Sequence, residues 1–134
     1  MILGIGIDLC DARRIEASMD RFEGRFLDRI FTDNEKAHAF AAAKPALSFA
    51  KRFAAKEAVA KALGTGVRGF LFVDIEVISG HLGKPHVVLH GGAADTLRAL
   101  VPAGHTAHIH LSLSDEAPYA TAYAVIEMLR PDQG

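Results

Sequence analysis

Asp8, Glu57, Lys61 and Lys84 lie far apart in a chain of 134 residues, yet their types suit one chemistry. Two carboxylates with few nitrogen or sulfur ligands beside them suit a hard cation such as magnesium. That ion keeps several waters and takes its remaining ligands from a substrate phosphate. Lys61 follows Glu57 by one helical turn, and with Lys84 it can neutralise phosphate oxygens. Gly64-Thr65-Gly66, just beyond, exposes backbone N–H groups to an anion. These parts make a phosphate-handling site. Taken alone, Glu57 and Lys61 are an ordinary i,i+4 surface pair worth about 0.3–0.5 kcal/mol. Asp8 alone is an ordinary strand-end turn or cap residue. Their company argues for a site.

The elements that must position these groups can be read from periodicity. Along residues 2–8, Leu3, Ile5, Ile7 and Leu9 point one way and Gly4, Gly6 and Asp8 the other. This predicts a strand with an apolar face and a bare face, the bare one ending in a carboxylate. Gly4-x-Gly6 is not a dinucleotide fingerprint, because the third glycine position holds Leu9. Asp11 suits the N-cap of a helix. Ala12, Ile15, Met19, Phe22 and Phe26 then recur at spacings of three and four, an apolar stripe on one helix. Arg14, Arg21 and Arg25 fall on another face, either solvated or docking an acidic partner.

Thr32-Asp33-Asn34-Glu35 reads as a capping box opening a helix to about residue 43. Lys44-Pro45 breaks it. A long helix over 46–63 follows, free of Gly and Pro until Gly64 and Gly66 stop it. Its Ala54, Ala55, Ala58 and Ala62 leave one side nearly free of bulk, open to a second backbone or a flat ligand. Residues 67–72 are irregular. Strands over 73–78 and 84–90 form a hairpin, a helix covers 93–101, and strands over 105–114 and 119–129 complete the chain. The tail beyond residue 129 is expected to fray. The expected class is α+β, a mostly antiparallel sheet packed with one long helix and shorter helices.

Composition narrows the function classes. Lys and Arg number 15 against 16 Asp and Glu, so bulk charge supports no nucleic-acid or membrane-surface partner. Half of the residues are hydrophobic, enough for one core and a single domain over 1–134. Cys10 is the only cysteine, which fits a reducing cytoplasm. The N-terminus lacks the basic region of a signal peptide, and no apolar run is long enough to span a bilayer. His86 and His90, or His105, His108 and His110, are a competing zinc set, without cysteine partners or a His-Glu-x-x-His motif. No Gly-x-Ser-x-Gly elbow supports a serine hydrolase.

Several motifs, in order, carry a resemblance. These are Gly4-Ile5-Gly6-Ile7-Asp8, the run from Arg52 through Lys56-Glu57 and Lys61 to Gly64-Thr65-Gly66, Asp74-Ile75-Glu76-Val77, Gly83-Lys84-Pro85, and His110-Leu111-Ser112-Leu113-Ser114. The chain resembles the bacterial holo-[acyl-carrier-protein] synthases, small 4′-phosphopantetheinyl transferases, from residue 2 to about 127. The resemblance implies that Asp8 and Glu57 hold magnesium together with the diphosphate of coenzyme A. It implies that Lys61 and Arg52 lie along that phosphate chain, and that Gly64, Gly66, Lys84 and Pro85 line the nucleotide cleft. Arg14, Arg21 and Arg25 are expected to meet the acidic recognition helix of acyl carrier protein. It further implies a cytoplasmic homotrimer with active sites at subunit interfaces. Glu57 is the expected base, directly or through a metal-bound water, and Lys61 the second positive charge. One departure stands out: where many members carry His after the Ser-x-Ser stretch, this chain has Asp115. The role of that His as base does not carry over, and Asp115 is a minor candidate. Two rival readings are a nucleotide or coenzyme A binder without turnover, and an interaction protein docking an acidic helix through its arginines.

Overall fold

The computed structural model describes residues 1–22, 24–66 and 68–132. Strand β1 (Ile2–Asp11) leads into helices α1 (Ala12–Phe22), α2 (Gly24–Ile30), α3 (Asp33–Phe40) and α4 (Pro45–Ala62). Then come β2 (Ile75–Ser79), β3 (Pro85–Leu89), α5 (Gly91–Leu100), β4 (Thr106–Glu116) and β5 (Tyr119–Leu129). All strand pairs are antiparallel, in a three-stranded sheet of order β1-β5-β4 and the β2–β3 hairpin. This is the expected α+β class.

The two bare surfaces meet. Ala54, Ala55 and Ala58 of α4 are fully buried, and β1 lies directly on Ala58 and Ala62. A methyl carbon added at Gly4 would sit 1.9 Å from the Ala62 carbonyl oxygen, and one at Gly6 would sit 1.9 Å from that of Ala58. The smooth side of α4 therefore receives a backbone rather than a flat ligand. The inward residues of β5, Ala120, Ala122 and Ala124, are also buried and small, so sheet and helix approach closely. As a result the apolar residues of β1 point outward: Ile5 and Ile7 are each 58% exposed and Leu9 66%. Tyr119 and Tyr123 of β5 are exposed beside them.

Several boundaries differ from expectation. The helix expected through Phe26 is described over Ala12–Phe22 and Gly24–Ile30, and residue 23 lies outside the described residues. Phe22, expected in the apolar stripe, is exposed. Helix α3 stops at Phe40 rather than near 43. Lys44, preceding Pro45, is held at φ −127° and ψ 86°, outside the helical region, as a residue before proline usually is. Val73 lies in a tight turn rather than a strand, because the Asp74 carboxylate accepts the Leu71 N–H at 3.1 Å. The hairpin's return strand begins at Pro85, and α5 begins at Gly91. Residue 67 of the irregular stretch and residues 133–134 of the tail lie outside the described residues.

The capping box forms as expected. Thr32 Oγ1 accepts the Glu35 N–H at 3.2 Å, and the Glu35 carboxylate accepts the Thr32 N–H at 2.9 Å. Glu35 does more: it accepts the Val77 N–H at 2.9 Å and a hydrogen bond from Lys56 Nζ at 2.8 Å. Lys56 also donates to the Phe72 and Ile75 carbonyls. Both side chains are wholly buried. Burial pushes the Lys56 ammonium down from its usual range, against the pull of Glu35. The pair joins α3, α4 and β2, and so fixes the hairpin against the long helix.

Candidate active site

Asp8 lies within β1, three residues before the strand ends, paired opposite Ala122. Its carboxylate meets Lys61 Nζ at 3.2 Å. Lys61 also donates to the Ile7 carbonyl at 2.9 Å, so the lysine bridges α4 to β1. Asp8 and Glu57 line one cleft of about 340 Å³ with Arg14, Ser18, Phe26 and Phe53. Burial pushes the Glu57 carboxyl up, and the nearby Asp8 charge pushes it further, with Lys61 pulling back. Cys10 lines the same cleft, and burial raises its thiol to about 11. Arg14 thus belongs beside the carboxylates. Arg21 caps the Phe22 ring at 5.1 Å and Arg25 stands exposed, so of the three arginines Arg14 alone lines this cleft.

Arg52 points elsewhere. It precedes Glu57 by five residues and Lys61 by nine, about 140° and 180° around the helix axis. It is 6% exposed, donates to Ser48 Oγ at 2.6 Å, and leaves its Nε without a partner among the described residues. It lines a second cleft, of about 600 Å³, with Lys44, Lys51, Gly83, Pro85 and Asp115. Lys84 is exposed between Gly83 and Pro85. Gly64 and Gly66 are exposed past the end of α4 at φ 81° and 60°, a region that favours glycine.

Of the expected residues, Asp8, Glu57 and Arg14 therefore line an acidic cleft and Arg52 and Pro85 a basic one on the opposite side of α4, while Lys61, Gly64, Gly66, Lys84, Arg21 and Arg25 line neither. Sequence reading missed Lys51, which pairs with Asp115, and the buried Lys56–Glu35 pair. Nothing in the spacing signalled either, because both depend on chain segments meeting from afar. Among the described residues, no group of three or more His, Cys, Asp and Glu gathers for a metal. His90 pairs with Glu76 and His110 with Glu127, each at 3.0 Å. No helix of the described residues is long and apolar enough to cross a membrane.

A small α+β fold of this topology, with an acidic cleft and a basic cleft flanking one long helix, has known counterparts. Residues 4–124 match the profile of the 4′-phosphopantetheinyl transferase superfamily, and the chain belongs to it. Within that family it is 52% identical, over 97% of its length and 99% of the relative's, to the holo-[acyl-carrier-protein] synthase of Sphingopyxis alaskensis. The crystal structure of holo-[acyl-carrier-protein] synthase from Neisseria meningitidis superposes with a TM-score of 0.84 at 39% identity, covering 95% of this chain and 99% of that one. The Helicobacter pylori holo-[acyl-carrier-protein] synthase in complex with coenzyme A gives 0.78 at 28% identity, covering 92% and 99%.

Proposed function

We propose that this chain transfers the 4′-phosphopantetheine group of coenzyme A to a serine of apo-acyl carrier protein. The products are holo-carrier and 3′,5′-ADP, in support of fatty acid synthesis. The observation that carries the reading is the meeting of Asp8 and Glu57 in one cleft between β1 and α4, with Lys61 3.2 Å from the Asp8 carboxylate.

Magnesium fits the Asp8 and Glu57 pair. The Asp8 charge raises the proton affinity of Glu57, so a cation held by the two is favoured, and a donor set of two carboxylates leaves room for water and substrate phosphate. When bound, the ion supplies Lewis-acid polarisation of the diphosphate. Lys61, fixed by Asp8 and the Ile7 carbonyl, offsets charge on the phosphoryl oxygens. Glu57 is the carboxylate placed to take the proton of the attacking serine, directly or through a water. Arg14, Arg21 and Arg25 receive the acidic helix of the carrier. Arg52, with Gly64, Gly66, Lys84 and Pro85, holds the nucleotide end of coenzyme A.

Arg52 and Pro85 line one cleft and the carboxylates another, on opposite sides of α4 within one copy. We therefore assign the complete site to two copies of a homotrimer, packed through the exposed face of β1 and β5. Ile5, Ile7, Leu9, Tyr119 and Tyr123 give that face the apolar character of an interface core. Residues 1–134 act as one domain, since the hydrophobic cluster draws on residues from Cys10 to Ile126. The lone buried thiol suits the cytoplasm, where we place the enzyme.

The test is to incubate the protein with apo-acyl carrier protein, coenzyme A and magnesium, and to weigh the carrier by mass spectrometry. The expected result is a gain of one phosphopantetheine, abolished by chelator and by Asp8→Ala. Coenzyme A binding in a calorimeter with no gain on a carrier from the same organism would leave a binder and overturn the reading.

A further inference from the structure

The outward face of the three-stranded sheet is apolar along β1 but carries a titratable cluster at one corner. The register sets Ile5, Val125 and His110 in one row across the strands, and Ile7, Tyr123 and Ser112 in the next. On the other side of the first row, Glu127 lies opposite His108. His110 Nε2 meets Glu127 Oε1 at 3.0 Å, and the His108 and His110 ring centroids are 4.4 Å apart. Two imidazoles thus share one carboxylate on the face assigned above to packing between copies. We infer that this cluster makes assembly of the chain pH-dependent, because the face packs well only when one of the two imidazoles is protonated. The inference rests on the homotrimer reading above and deepens it.

In a single copy the cluster is wet: the His110 side chain is 51% exposed and that of Glu127 35%. Water tolerates any net charge there. Packing a second copy on this face removes that water, and a charge left unpaired away from water is costly. With both imidazoles neutral, the cluster carries the single negative charge of Glu127. With one protonated, it is a hydrogen-bonded ion pair of no net charge. With both protonated, it carries a net positive charge on two adjacent rings. The neutral form packs at least cost, so assembly raises the proton affinity of the His110–Glu127 pair and lowers that of the second ring. Assembly is therefore lost as pH rises past the pair, and lost again as pH falls through protonation of the second ring. Histidine changes charge between about pH 5 and 8. Three copies exchanging one proton each alter the association constant by up to about 10³ per pH unit. Other titratable groups surround the cluster. From β1, Ile2 lies opposite Glu127, and the Met1 ammonium beside it bonds the Met128 carbonyl at 3.0 Å. Tyr123 stands one row past His110. On the other flank, His108 shares a cavity with His86, His105 and Arg98, the last paired with Asp95. The complete site needs two copies in this reading, so transfer by dilute enzyme is gated by the same protonation.

The experiment follows trimer fraction against chain concentration by fluorescence-detected sedimentation, from about pH 5 to about pH 9. A fixed, sub-denaturing urea concentration brings association into range, and circular dichroism at each pH separates dissociation from unfolding. The wild-type association constant is expected to peak inside this range and to fall at least about tenfold on each side. Glu127→Gln is neutral with both imidazoles unprotonated. It should lose the alkaline fall and begin its acid fall at higher pH than wild type. His108→Gln removes the second ring. It should keep the alkaline fall and lose the acid one. Both variants retain the surrounding titratable groups, whose contributions cancel in the comparison. A wild-type trimer indifferent to pH overturns the inference and leaves the trimer standing. So does an alkaline fall that survives Glu127→Gln, or an acid fall that survives His108→Gln. A wild type that stays monomeric at every pH ends the trimer reading itself, and this inference with it.

Discussion

Glu57 binds its proton more tightly than an ordinary glutamate, because it is partly buried and faces Asp8. The sign of the consequence is fixed. From pH 4.5 upward to its raised value, the folded chain holds more protons at this site than the unfolded chain does. Stability then falls as pH rises through that window. Glu57→Gln is expected to melt at higher temperature than wild type at neutral pH without divalent cation, with the gap closing toward acid pH. Magnesium should raise the wild-type midpoint at neutral pH and leave the variant unmoved. Phosphopantetheine transfer by the variant should fall about 10²-fold or more. A gap that does not change with pH would refute the assignment. At this scale Asp8, Glu57 and Lys61 were legible, because their types made sense only together. Lys51, Lys56 and Lys61 were not distinguishable as cleft-lining, buried or bridging: all three are lysines on one helix, and their partners Asp115, Glu35 and Asp8 come from other elements.

The long helix and the first strand are matched by what they lack. Alanines at 54, 55, 58 and 62 and glycines at 4 and 6 let a backbone lie against a helix and put Asp8 beside Glu57 and Lys61. Gly6→Ala would drive a methyl group into the Ala58 carbonyl, and overpacking of that kind typically costs about 1–3 kcal/mol or more. The expected outcome is a large drop in the urea midpoint, accompanied by lost transfer. Gly24→Ala has open space around it and is expected to leave the midpoint unchanged or raise it by up to about 1 kcal/mol of helix propensity. If the two variants melt alike, close approach is not what places Asp8. The smooth side of α4 was legible as a place for a backbone. The orientation of β1 was not. Alternation normally points its apolar residues at the core, but here backbone-to-helix packing decides, and Ile5, Ile7 and Leu9 face out.

The outward apolar face acquires a purpose only at the scale of the whole molecule. A three-stranded sheet covered on one side by α4 exposes Ile5, Ile7, Leu9, Tyr119 and Tyr123 on the other. Those residues need burial, and copies of the chain are the occupants we propose. The division of the site between two clefts makes the same demand from the side of chemistry. Its two halves flank α4 like the two hands of one worker, each useless alone. This has a genetic consequence. Asp8→Ala spoils one half and Arg52→Met, which keeps a buried stem, spoils the other. Each variant alone should be inactive, yet the two co-expressed should complement. In a closed ring of three with random mixing, about a quarter of the sites unite an intact half from each parent. Activity near that fraction, measured on the co-purified mixture, is expected; none at all would return the whole site to a single copy. Two defective alleles would then make a working enzyme between them.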